Sequence, residues 1–228
     1  MDIEGSIART TVSDAVYRRL RDQILAADAE AGAPLPSERT LSETFGVNRH
    51  AVREAIKRLQ QAGLVTVVHG GATRATNWRR EGGPELLTAI GGSIGAKERA
   101  GLAAQIAEAR AAIAQLLAAG AAGGDGFDAS DAAAATTSAD RSQIAAYRAF
   151  WCDVATASGN LAAQLTLNSL DAALDALGAE GAAVFEAEAS RTGEIAALAV
   201  AIGSGDAGGA RRAAGELIHA APVAQLSR

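Results

Sequence analysis

The stretch Pro34–Gly71, PLPSERTLSETFGVNRHAVREAIKRLQQAGLVTVVHGG, decides the fold. Ser37 can cap a helix start, and Glu38 puts an acid in the first turn, where the helix dipole favours it. Leu41 and Phe45 are expected to face inward, and Gly46-Val47 to break the helix, because glycine tolerates the left-handed backbone that ends one. Asn48 caps a further helix that runs to about Gln61 and stops at Gly63. On it Val52, Ala55, Ile56 and Leu59 recur at spacings of three and four and form one face. Arg49, Arg53 and Lys57 stand four apart on a different face. Leu64–Val68 reads as a short strand, His69-Gly70-Gly71 as a turn and Ala72–Thr76 as the returning strand.

Upstream, Thr11–Ala27 predicts a first helix, with Val12, Ala15, Val16, Leu20, Ile24 and Leu25 at helical spacing. Residues 28–36, rich in Ala, Gly and Pro, predict a connector. Three helices followed by a β-hairpin make a winged helix-turn-helix over residues 1–76. Asn77–Pro84 is a polar linker. Beyond it the pattern is helical over 85–93, 97–119, 140–158, 160–178, 180–203 and 206–220, an all-α bundle spanning 85–228. Residues 120–139 are a low-complexity Ala/Gly/Asp/Ser/Thr segment. The fold class is mainly α, as expected from an alanine-rich chain of 228 residues with only 4% aromatics.

Charge divides along the same boundary. The chain carries net −5, yet residues 1–80 carry +3 and the remainder −8. A basic module joined to an acidic one suggests nucleic-acid contacts in the first and another task in the second. The single cysteine, Cys152, excludes a disulfide framework and a Cys-rich zinc site. No signal peptide is expected, and no stretch is read as approaching a membrane span, so the expected location is cytoplasmic with no membrane partner. A nucleophile elbow, a phosphate-binding glycine loop and a His/Asp/Glu cluster are all lacking, so an enzyme is not expected.

A recognition helix presents its N-terminal residues to base edges in the major groove, where arginine donates two bonds to guanine. Arg49 and Arg53 suit that task, with His50 beside them; Arg39 on the preceding helix suits a phosphate. The wing tip, His69-Gly70, lets backbone approach a duplex closely.

The quoted stretch resembles the GntR regulator family almost throughout. The shared pattern is a proline pair before Ser-Glu-Arg, then Leu-Ser-Glu, Gly-Val-Asn-Arg, Val-Arg-Glu-Ala-Ile, Leu, Gly-Leu and a His-Gly turn. The resemblance implies a homodimer on a palindromic double-stranded DNA operator, with contacts at Arg39, Asn48, Arg49, His50, Ala51, Arg53, His69 and Gly70. The second half resembles the FadR branch through Phe150-Trp151, Ala157-Ser158-Gly159-Asn160, Ala201-Ile202, Gly205-Asp206, Ala210 and Arg110.

Many members of that branch hold a divalent metal with one Asp and three His. At those positions stand Tyr147, Trp151, Ile195 and Leu217, with His219 two places off on another helix face, so no metal is expected here. The loss points toward fatty-acid-responsive relatives, whose linker Thr73-Arg74, Asn77-Trp78, Gly83 and Leu86-Leu87 resemble. The expected effector is then fatty acyl-CoA in an apolar pocket lined by Tyr147, Phe150, Trp151, Asn160 and Ile195, with Arg110 facing the anionic head group. Two plainer readings stand beside it: Arg110 in an interhelical salt bridge, and the aromatics as core. The expected function is a ligand-responsive repressor. Alternatives are a regulator answering a small organic acid, and a constitutive DNA binder whose second half only dimerises.

Overall fold

The computed structural model describes residues 12–26, 32–67, 72–92, 94–124, 127–128 and 142–219. Contacts divide the chain into two compact units, residues 1–86 and 87–228.

In the first unit, α1 (Val12–Ala26), α2 (Glu38–Phe45) and α3 (Arg49–Gln61) precede strands β1 (Val65–Val67) and β2 (Thr73–Ala75). Both cap expectations hold. The Thr40 N–H donates to the Ser37 hydroxyl at 3.1 Å, and the Ala51 N–H donates to Asn48 Oδ1 at 2.8 Å. Gly46 takes φ +64° and ends α2, and the Val47 N–H donates to the Ser42 carbonyl at 3.0 Å. Val52, Ala55, Ile56 and Leu59 are buried, as are Val16, Leu20 and Ile24 of α1 and Leu41 of α2, the two helices on which α3 packs. Phe45 is half-buried.

The strands pair antiparallel, Val65 opposite Ala75 and Val67 opposite Thr73. The connector does more than connect. The Gly32 N–H donates to the Ala75 carbonyl, the Ala75 N–H to Ala33 and the Leu35 N–H to Thr73, each at 2.8 Å, so residues 32–35 run along the free edge of β2. The polar linker also differs from expectation: Trp78–Glu81 forms a single helical turn, α4.

The chain continues through α5 (Glu85–Gly91), α6 (Ala96–Ala122), α7 (Gln143–Ala157), α8 (Leu161–Ala176), α9 (Ala179–Ala189), α10 (Thr192–Gly203) and α11 (Ala207–His219). The last six of these make the second unit's bundle, in which α6 is central and packs on α7, α8, α9, α10 and α11. The helix expected over 180–203 is in fact two, broken at Ser190-Arg191. Arg191 explains the corner: its Nη1 donates to the Glu216 and Leu217 carbonyls of α11 at 2.6 and 2.8 Å, and Nη2 pairs with Glu194. Most of the 120–139 segment lies outside the described residues.

By length and apolarity alone α6 could cross a membrane, which corrects the expectation that no stretch approaches a span. Its many alanines give it that character while letting neighbours come close; Ala103, Ala111, Ala114, Leu117 and Ala118 are buried within the bundle.

Close approach also fixes α8 against α9. A Cβ on Gly181 would lie 1.8 Å from the Leu174 carbonyl oxygen. Gly181→Ala is therefore expected to lower stability by about 1–3 kcal/mol, read as a lower urea midpoint for the second unit. An unchanged midpoint would show that the helices part freely.

Candidate nucleic-acid interface

Helical period sorts the side chains of α3. Because positions 52, 55, 56 and 59 face the core, Arg49, His50, Arg53 and Lys57 are left exposed. Among the described residues no ion pair or hydrogen bond engages the Arg49 guanidinium at the helix start. Arg53 is tethered: its Nη2 reaches Glu38 of α2 at 2.9 Å and its Nε spans both carboxylate oxygens at 3.2 and 3.3 Å. The Glu38 carboxylate raises the Arg53 pKa through this hydrogen bond and its charge. Glu38 was expected only to answer the helix dipole. Its further task, bridging α2 to α3, is visible only once the two helices are packed.

Arg39 is exposed and pairs with Glu43 at 3.0 Å, one turn along α2. Lys57 pairs with Glu54 at 2.9 Å. Exposed pairs of this kind are weak and exchange readily for another anion. Asn48 is exposed and uses its side chain as the cap. Ala51 departs from the expected set, since it is buried and its N–H is held by that cap. His69 and Gly70 lie outside the described residues. On the far side of α3, Arg58 pairs with Asp14 and lies 4.4 Å from the Tyr17 ring centre, fastening the helix to α1.

Residues 12–74 match the family described as bacterial regulatory proteins, gntR family. The likeness extends further. An HTH-type transcriptional regulator of Mycobacterium tuberculosis, Mce2R, is 32% identical over 227 residues, covering 97% of this chain and 94% of that protein. The chain belongs to the GntR family of bacterial regulatory proteins. The same identity and coverage hold for an uncharacterized HTH-type transcriptional regulator of Mycobacterium bovis, Mb0601. The fatty acid metabolism regulator protein of Shewanella pealeana is 42% identical, but over 59 residues, 26% of this chain. The solved structure of Lar, which controls the expression of the Listeria monocytogenes agr system, shares the fold with a TM-score of 0.59 at 16% identity, over 96% of this chain and 98% of that one. This GntR protein is thus a DNA-binding transcriptional regulator of the helix-turn-helix type.

The second unit of the GntR chain treats the expected effector residues differently. Tyr147, Phe150, Trp151 and Ile195 are buried core. The Phe150 and Trp151 rings meet edge to face at 5.7 Å, and Tyr147 and Trp151 at 6.3 Å. Asn160 caps α8, its side chain accepting from the Ala163 N–H at 3.1 Å. Arg110 does not stand open to a head group. Its Nη1 donates to both oxygens of Glu188 at 2.8 Å and its Nε to Asp171 at 2.6 Å, so the interhelical salt bridge is the geometry found. The family's four metal positions hold a phenol, an indole and two aliphatic side chains, which do not fit a divalent metal.

Sequence reasoning missed Glu188. The signal was there: Gly181, Val184, Phe185 and Glu188 share the buried face of α9, so an acid stands where the period calls for an apolar residue. Burial pushes the Glu188 pKa up against the pull of Arg110. Burial likewise raises that of Tyr147, whose hydroxyl donates a hydrogen bond to Glu188 at 2.9 Å. Arg110→Met leaves that carboxylate buried without its cation and is expected to cost about 3–5 kcal/mol. Arg110→Met with Glu188→Leu should recover much of the loss. Equal losses in the single and double variants, measured by denaturant unfolding, would refute this account of the pair.

Proposed function

We propose that this GntR regulator is a homodimeric repressor that reads a palindromic operator through α3. The observation that carries the reading is the outward presentation of Arg49 and Arg53 from a helix whose opposite face is locked into the core. Arg49, near the N-cap, suits a guanine edge; Arg53, steered by Glu38, suits a second base or the flanking phosphate. Asn48 and His50 border the same helix start, and Arg39 reaches the backbone from α2. His69 and Gly70 are assigned to the wing tip, and Ala51 contributes through its position rather than an exposed side chain. Two copies related by a twofold would place two α3 helices in successive grooves, one helical turn apart.

The second unit sets the dimer and, in this reading, answers a ligand of long-chain acyl-CoA type. Support for that ligand class is the partial likeness to fatty acid metabolism regulators. A constitutive binder whose second half only dimerises is favoured by one specific observation: the core aromatics are packed and Arg110 is already paired.

Binding to fragments of its own upstream region, followed by gel shift, tests the first claim. Arg49→Ala and Arg53→Ala are each expected to weaken operator binding by about 1–3 kcal/mol and to relax base preference. Wild-type affinity in both variants would overturn the assignment of α3. Addition of acyl-CoA separates the two readings of the second unit, release from the operator supporting the ligand-responsive one and unchanged affinity the constitutive one. Sedimentation of the free protein as a monomer at micromolar concentration would remove the dimer.

A further inference from the structure

The three arginines assigned to the operator, Arg39, Arg49 and Arg53, are all exposed, yet they are held in three different ways. Among the described residues Arg49 has no ion pair, and Arg39 gives one terminal nitrogen to Glu43 of its own helix. Arg53 is gripped along a whole edge. Its Nε lies 3.2 and 3.3 Å from the two Glu38 oxygens, and its Nη2 lies 2.9 Å from the nearer one. Glu38 belongs to another helix, 15 residues earlier in the chain. The nearest acid on α3 itself, Glu54, is taken by Lys57 at 2.9 Å.

Stability does not account for this grip. The side chains of Arg53 and Glu38 are 59% and 36% exposed, and pairs so open to water add little to a fold. Its geometry has a sharper consequence. A guanidinium is planar, with one N–H on Nε and two on each terminal nitrogen. Glu38 occupies the Nε side, which leaves the Nη1 and Nη2 protons at the tip. Two parallel N–H groups at that tip match the O6 and N7 acceptors of guanine. Charge works in the same direction. A phosphate near Arg53 also meets the repulsion of the Glu38 carboxylate, whereas a neutral base edge meets much less of it.

We infer that Glu38 sets base specificity through Arg53: it holds the side edge of the guanidinium so that the tip meets a base, and it masks the charge from phosphate. Glu38 is thus a positioning residue and need not touch DNA. Its removal has two opposite effects. Arg53 becomes a free cation that any phosphate attracts, so affinity for arbitrary duplex rises. The aimed contact to one base is lost, so preference for the operator falls. This inference rests on the operator-reading role proposed for α3 and adds to it a residue that opposes non-specific binding.

The test uses the full-length protein and two duplexes. One is a fragment of its own upstream region that wild type binds; the other is scrambled, of equal length and base composition. Fluorescence anisotropy gives Kd for each over a range of sodium chloride concentrations. Glu38→Gln keeps the side-chain size without the charge. It is expected to bind the scrambled duplex about threefold or more tightly, with a logarithmic salt slope steeper by about one. Its preference for the native fragment should fall about fivefold or more. Glu43→Gln removes the same charge from the same helix and should keep the wild-type preference. In an Arg53→Ala background the Glu38 change should alter the preference no further. The ratio of the two affinities is insensitive to lost folded protein, because both scale with the competent fraction. Wild-type preference and slope in Glu38→Gln overturn the inference while the role of α3 stands. So does an equal loss of preference in Glu43→Gln, or a loss that persists without Arg53. A wild type that does not distinguish upstream fragments from scrambled duplex overturns the operator reading, and this inference with it.

Discussion

A helix that must bury one side has no choice about what it shows on the other. Val52, Ala55, Ile56 and Leu59 fill the space between α1 and α2, and their burial fixes the rotation of α3 about its own axis. Rotation by one residue would put Arg53 and Lys57 in the core and Leu59 in water, a change opposed by the desolvation of charge. The exposed cations therefore owe their direction to alkyl groups that never approach DNA. Two ion pairs refine the setting: Glu38 steadies the outer face of α3, and Asp14 with Tyr17 holds its far end.

The second unit solves a different problem with different materials. Its central helix α6 is built largely from alanine, which permits five helices to crowd around it but supplies little apolar area per residue. α6 adds Ile106 and Leu117, while the aromatic side chains come from the surrounding helices, Tyr147, Phe150 and Trp151 from α7 and Phe185 from α9. A buried arginine in so small-featured a helix is held because two other helices extend carboxylates to it, one of which also accepts from Tyr147 of a third. Directional bonds of that sort select one register among the many that smooth alanine surfaces allow.

Much of the first unit was legible because its signals are local. Ser37 and Asn48 announce helix starts by hydroxyl and amide chemistry acting over three residues, and Gly46 announces an end by its backbone freedom. The periodicity of α3 likewise needs no knowledge of distant chain. What escaped was long-range. The role of Arg110 depends on Glu188, 78 residues away, and the break at Ser190-Arg191 depends on carbonyls of α11. Ser190-Arg191-Thr192 contains no glycine or proline, and the neighbouring Gly193 lies inside the helix that follows the corner. Asn160, placed among effector residues by resemblance, has a local duty as a cap that its position before Leu161 already suggested.

The edge pairing of residues 32–35 with β2 ties two parts of the first unit that are far apart in sequence. Arg74 strengthens the tie, its Nη1 donating to the Gly32 carbonyl at 2.7 Å. Residues 32–35 and the second strand of the hairpin therefore share backbone hydrogen bonds about a single bridge, Pro34 opposite Arg74. Lengthening the α1–α2 connection would shift the hairpin sideways along with it. A change in that connector is thus passed to β2 while the side chains that α3 exposes stay as they are.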